Sequence, residues 1–389
     1  MNRTQQGVVT LLKSAVTGQS GVLPEDFDLE TLYPELKKHN MDALLYEGAV
    51  LCGISRQIPV MQMLFRKYCQ HLIVSESQMR RVGEIFAAFE AGGIEYLPLK
   101  GCRMKSLYPK PELRYMGDAD ILIRLEQYET IRPMMAELGF EEGAESDHEL
   151  HWEHRDLSVE LHKHLIPSYN EGYYDYYGLG WQKAARRDGN YWTMTPEDEW
   201  IFLFTHFAKH FRDGGIGCRY VVDLWVYLCH NPGMDEAYIC RELEKLQLQP
   251  FHENIRRLIR VWFEELTGDE KMDVITDYIF ASGSWGQLES KVISGAVRES
   301  PSSGRAVESK LRYAFRIMFP DVRTLRSKYT VLKKHPWLLP AVWVMRPFYK
   351  LLWERKSLLQ HRDNIHSITD EKVAQRRDLL EYMGIDYRF

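Results

Sequence analysis

The sequence predicts an α+β protein, with a mixed sheet core flanked by N-terminal and C-terminal helical regions. Three observations carry that prediction. Apolar residues recur at helical spacing up to about residue 91, alternate at strand spacing from Ile94 to about residue 165, and return to the helical period at Thr195. Helices, then strands with short helices, then helices again put a sheet in the middle of the chain.

In chain order, Asp28 is a fitting N-cap for a helix through Leu29, Leu32 and Leu36, which Pro34 would kink or shorten. A long helix is expected over Val60–Phe89, where Met61, Phe65, Cys69, Leu72, Val82, Ile85 and Phe89 fall near helical spacing. Ala91-Gly92-Gly93 ends it. This first region, residues 1–92, carries no evident chemistry and reads as a packing lobe.

Residues 93–190 read as the core. Ile94–Leu99 is a short strand entering a Lys100-Gly101 turn. Residues 102–108 make one or two helical turns bounded by Pro109 and Pro111. A second strand then opens Asp118-Ala119-Asp120 and continues through Ile121-Leu122-Ile123. Glu126–Leu138 is an amphipathic helix, bent near Pro133 and closed by Gly139. Residues 148–165 form a hairpin turning near Arg155-Asp156, with Val159 and Leu161 on one face of its second strand and Glu160, His162 and His164 on the other. The stretch Tyr169–Tyr177 is expected as a loop sealing this core.

The third region, residues 191–297, opens on Thr195 as N-cap, Pro196 as the first helical residue, and Glu197, Asp198 and Glu199 at the positive helix end. That helix carries His206 and His210 on one face and stops at Asp213-Gly214-Gly215. A packing or capping role is the expectation for the two histidines. Further helices are expected at Arg219–Leu228, Ala237–Leu246 and Ile255–Leu266. Arg298–Arg305 reads as a linker, and residues 306–389 as a basic, aromatic, helical tail. Within it Trp337–Trp353, broken by Pro340, Arg346, Pro347 and Lys350, is expected to be a buried helical hairpin.

Composition narrows the class. Hydrophobic residues at 45% and charged residues at 27% suit a soluble globular protein, and a net charge of −5 argues against a dedicated nucleic-acid binder. The six cysteines form no C-x-x-C pair, so reduced thiols in a cytoplasmic protein are expected. No run of about 18 apolar residues occurs, and the start lacks the features of a secretory signal.

The chemistry gathers at residues 98–120. Asp118 and Asp120, one residue apart on a strand, point to one face roughly 6.6 Å apart and can share divalent cations. Lys100, Arg103, Lys105, Lys110 and Arg114 supply cations just upstream, and the backbone N–H groups after Gly101 suit a phosphate. Histidines 148, 151, 154, 162 and 164 invite a zinc reading, but no cysteine is near them in sequence. Hydrogen-bonded histidines are expected, with His162 close to any metal.

L-K-G, then L-Y-P, then R and G-D-A-D-I-L-I, then V-E-L-H and a helix with H-x-x-x-H resemble a family of uncharacterised bacterial nucleotidyltransferases. The family lies within the DNA polymerase beta-like nucleotidyltransferase superfamily, and the resemblance covers roughly residues 94–225. It implies a small mixed sheet that binds a nucleoside triphosphate, ATP first, with Mg²⁺ or Mn²⁺. A nucleoside monophosphate would pass to a hydroxyl acceptor. By position Asp118, Asp120 and Glu160 match the metal-binding and catalytic carboxylates. Lys100, Gly101, Arg103 and Arg114 would contact the triphosphate. Lys100-Gly101 stands where many superfamily members have Gly-Ser or Gly-Gly. The acidic net charge favours a small-molecule acceptor, with no stable nucleic-acid partner. Two rival readings are a nucleotide-binding module that has lost catalysis and a helical interaction protein whose α/β insert is structural.

Overall fold

The computed structural model describes residues 1–264, 266–283, 331–353 and 369–385, with a few single residues between them. The expected linker Arg298–Arg305 lies outside the described residues. Four helices come first: α1 (Arg3–Thr17), α2 (Leu29–Leu36), α3 (Asp42–Leu51) and α4 (Pro59–Ala91). Asp28 caps α2 as expected, accepting from the N–H groups of Glu30 and Thr31, and Pro34 lies inside that helix. On α4, Val82, Ile85 and Phe89 are buried. Phe65 and Leu72, which share its apolar spacing, are exposed.

The sheet follows as β1 (Tyr96–Pro98), α5 (Lys100–Lys105), β2 (Asp118–Ile123), α6 (Tyr128–Glu137), β3 (Glu141–Glu145), β4 (Glu149–His154), β5 (Leu157–His162), α7 (Glu171–Tyr177), β6 (Ala184–Asp188) and β7 (Tyr191–Met194). Its seven strands are ordered β3-β4-β5-β2-β1-β7-β6. β2 runs parallel to β5 and antiparallel to β1, which makes the sheet mixed. Two expectations need correction. Tyr169–Tyr177 is mostly helix rather than loop, because Tyr173 and Tyr177 bury one face of α7. Strands β3, β6 and β7 had no counterpart in the sequence reading. All five residues of β3 and four of five in β6 are exposed, so neither shows the alternation that marks a half-buried strand.

The helices beyond the sheet are α8 (Pro196–Asp213), α9 (Cys218–His230), α10 (Glu236–Lys245), α11 (Gln249–Phe263) and α12 (Glu270–Ser282). Thr195 caps α8 through its hydroxyl, which accepts from the Asp198 N–H. The sheet separates two cores. On one face Ala119, Ile121, Ile123, Val159 and Leu161 pack with α4 and α6. On the other, Leu97, Leu99 and Leu122 join a core that runs from α1 through α8–α12. Leu379, Leu380 and Met383, from a C-terminal helix at Asp370–Met383, complete that second core. Trp337–Trp353 is not the buried hairpin expected. Trp337 is 73% exposed, and Val344 and Met345 are also exposed. Among the described residues no helix is long and apolar enough to cross a membrane.

Two buried histidines tie this helical core together in their neutral form. His39 accepts at Nδ1 from the Cys218 N–H (3.2 Å), with its Nε2 3.1 Å from the Phe280 carbonyl. His252 accepts at Nε2 from the indole N–H of Trp200, 3.1 Å away. Burial lowers both from the usual 6.5 to about 4. Protonation would put a hydrogen on the accepting nitrogen and break each bond. The unfolded chain takes up these protons near pH 6.5 and the folded chain only near pH 4, so stability is full above that window and falls as pH drops through it. A loss on the order of 3 kcal/mol per histidine is expected between neutral pH and pH 4. Urea unfolding at pH 7.5 and pH 5, with His39→Gln as comparison, checks it. Equal pH dependence in both proteins would remove His39 from the account.

Candidate active site

The carboxylates come together because β2 and β5 pair in parallel with Asp120 opposite Glu160. Alternation puts Asp118, Asp120 and Leu122 on one face of β2, and Glu160 and His162 on the same face of β5. This face forms the floor of a cavity of about 290 Å³, with α8 and α9 as the opposite wall. Of the residues singled out in sequence, Asp118, Asp120, Glu160, Lys100, Gly101, Arg114, His206 and His210 all line it.

At the floor, Asp120 is 4% exposed, and its Oδ1 accepts from Lys100 Nζ at 3.1 Å and meets His162 Nε2 at 2.9 Å. Burial works against a charged Asp120, but Lys100 and His162 outweigh it and hold the carboxyl well below its usual range. On Asp118 the same two cations are outweighed. Burial, then the charges of Asp120 and Glu160, push it up to about 7. Lys100 reaches Asp120 from a strained backbone: its φ is +31°, on the left-handed side that favours glycine. Gly101 is needed for space, since a Cβ there would sit 3.0 Å from the Asp118 carbonyl oxygen.

The basic residues are dispersed. Arg114 is buried beneath the cavity, with Nε and Nη2 donating to Asp223 of α9 at 2.9 and 3.0 Å. Arg103 does not line the cavity; it makes two 3.2 Å bonds to Glu199 of α8. Lys105 is buried and donates to the Arg114 carbonyl.

Lys209 and Glu149 are among the cavity residues that the sequence did not assign to the site. Lys209 lies three residues after His206 and one before His210, so all three share a helix face. That spacing was the available signal. Its ammonium makes no hydrogen bond or ion pair among the described residues, and burial together with Lys100 lowers it to about 8. Glu149 alternates with His151 on β4, and both face Glu160 across the hairpin: His151 pairs with Glu160 in register. His206 and His210 meet Nε2 to Nε2 at 3.0 Å, and burial, then Lys100 and His210, keep His206 well below its usual range.

Asp120 and Glu160 form, with His162, a set of donors close enough to hold a metal ion. Asp118 belongs to no such set and adds a nearby carboxylate, whose repulsion by Asp120 and Glu160 a cation would relieve. A larger cavity of about 640 Å³, lined by Val274, Tyr278, Ile293 and Leu379 among others, lies away from the sheet between α12 and the Asp370–Met383 helix. A family model described as "uncharacterised nucleotidyltransferase" matches residues 25–264. No curated protein and no solved structure matches the chain.

Proposed function

Because the chain belongs to this family of uncharacterised nucleotidyltransferases, we propose that it transfers a nucleoside monophosphate from a nucleoside triphosphate, ATP first, to a hydroxyl of a small molecule. The acceptor oxygen would bond to the α-phosphorus as the bond to the pyrophosphate breaks, and the hydroxyl proton would leave to a base or solvent. The observation that carries this reading is the pairing of Asp120 with Glu160 at the floor of a closed-in cavity, beside Asp118.

Asp118, Asp120 and Glu160 would hold Mg²⁺ or Mn²⁺, which when bound supplies positive charge to the phosphates. The chain's own part is positioning and charge. Lys209, which makes no hydrogen bond or ion pair among the described residues, is the cation best able to take a phosphate oxygen. Lys100, fixed to Asp120, orients that carboxylate. Leu203 and Phe207 of α8 exclude water from the opposite wall. A cavity of about 290 Å³ is on the scale of small ligands, which supports a small-molecule acceptor.

The test is a thermal-shift series with the four nucleoside triphosphates, each with Mg²⁺ or Mn²⁺. At least one pair is expected to raise the melting temperature in the native chain and not in Asp118→Asn. No shift with any pair sinks the proposal. Lys209→Met is expected to raise the KM for the triphosphate about ten- to a hundredfold, the value of a charge-assisted hydrogen bond, with a smaller change in kcat. An unchanged KM would take Lys209 out of the triphosphate site.

One observation favours a second reading, nucleotide binding without turnover. Lys100 Nζ already sits on Asp120 Oδ1, where a compact glycine-bearing turn would leave the carboxylate free. Stabilisation by a triphosphate with no pyrophosphate release would select that reading.

A further inference from the structure

We propose that His148, Glu149 and His162 form a site for a divalent transition-metal ion of the zinc type, beside the oxygen-only carboxylate trio and distinct from it. Glu149 and His162 are direct partners across the β4–β5 pair, and His148 immediately precedes Glu149. One side-chain donor atom from each of the three residues can be chosen so that all lie within 4.8 Å of one another. Ligands bound at about 2.1 Å in a tetrahedral shell lie roughly 3.4 Å apart, so small side-chain adjustments close this set around one ion.

His162 carries the argument beyond proximity. The ring is 1% exposed, and its Nε2 lies 2.9 Å from Asp120 Oδ1 and 3.6 Å from Glu160 Oε2. Burial works against a proton on this ring, but Asp120 and Glu160 favour one and outweigh it. A metal ion would displace that proton from Nδ1, leaving the Nε2 proton directed at the carboxylate and the Nδ1 lone pair on the ion. That Nδ1 is buried and makes no hydrogen bond among the described residues. A buried imidazole with one nitrogen on a carboxylate and the lone pair of the other on an ion has the carboxylate–histidine–metal arrangement. His148 repeats it in outline. Its Nε2 lies 2.8 Å from Glu149 Oε2, while its Nδ1 is 3.3 Å from the Ser146 hydroxyl, which would fix the ring. Glu149 Oε1 lies 3.2 Å from His151 Nε2, so a third imidazole adjoins the set.

Donor chemistry decides the class of ion. Two imidazoles and one carboxylate suit zinc and its neighbours, whereas magnesium prefers oxygen ligands and retains its waters. The inference does not depend on nucleotidyl transfer. Asp118 belongs to none of the candidate ligand sets among the described residues, while His162 is shared with a neighbouring set that includes Asp120 and Glu160.

Co²⁺ is the probe, because its visible absorption reports nitrogen ligation and a small coordination number. Metal-free full-length protein is titrated with Co²⁺ in millimolar Mg²⁺ and then challenged with Zn²⁺. The expected result is one tightly held equivalent with an intense visible band, displaced by Zn²⁺ and not by Mg²⁺. His148→Ala and Glu149→Gln should each weaken binding by at least about tenfold, while Asp118→Asn and His230→Ala keep it. Circular dichroism confirms that each variant is folded. His148 and Glu149 are partly exposed, so two variants guard against a folding artefact. Absence of the band in the native chain overturns the proposal. Binding lost in Asp118→Asn and kept in His148→Ala would also overturn it, by placing the ion in the carboxylate trio.

Discussion

Asp120→Asn is expected to lower nucleotidyl transfer by about three orders of magnitude or more while leaving a folded protein. The change keeps the size of the side chain and removes only its charge. Asp120 is the one carboxylate of the three that meets both Lys100 and His162, so neutralising it disorganises the floor as well as deleting a cation ligand. Folding should survive because Glu160 and Asp118 still act on Lys100. Pyrophosphate release under single-turnover conditions, beside a thermal melt, separates the two effects. Activity within tenfold of the native chain in a folded Asp120→Asn protein would refute the assignment.

Arg114→Met should have the opposite profile, with stability failing first. The guanidinium is 6% exposed and bonds Asp223 through two nitrogens, and the Tyr108 hydroxyl donates to the same carboxylate at 2.7 Å. Removing the arginine leaves the buried Asp223 with only the longer 3.7 Å pair to Arg219 and the Tyr108 hydroxyl, which costs about 3 kcal/mol. Adding Asp223→Leu removes the under-compensated anion but also takes the partner from the buried Arg219, so the double variant should lose clearly less than the sum of the two single losses. Chemical denaturation of the single and double variants decides it. A loss under about 1 kcal/mol for Arg114→Met would mean that water reaches Asp223. If Arg114 instead served chiefly to grip triphosphate, its variant would melt normally and bind nucleotide poorly.

Legibility in the sequence followed the range of the interactions. Asp118, Asp120 and Glu160 were readable because strand alternation and a hairpin turn are local signals, and they fix a face without knowledge of partners. The Thr195 cap and the glycine end of α4 were readable for the same reason. What Arg114 and Arg103 touch was not. Asp223 and Glu199 are remote along the chain, and no spacing rule links either arginine to a later helix. Lys209 and Glu149 had local signals, since each keeps register with a histidine already noticed. The polar strands β3 and β6 had none. Trp337 and its neighbours looked like core by composition, yet their exposure depends on which surfaces the tail meets.

The shared parity of Asp118, Asp120 and Leu122 has a consequence for misfolding. Were β2 to slip one position against β5, Ala119 and Ile121 would turn to the cavity and both aspartates would enter the hydrocarbon between the sheet and α4. Two unpaired anions there are prohibitive, so the slipped alignment is rejected at once. The acidic pair thus also acts as an alignment check, penalising the wrong pairing before any ligand arrives.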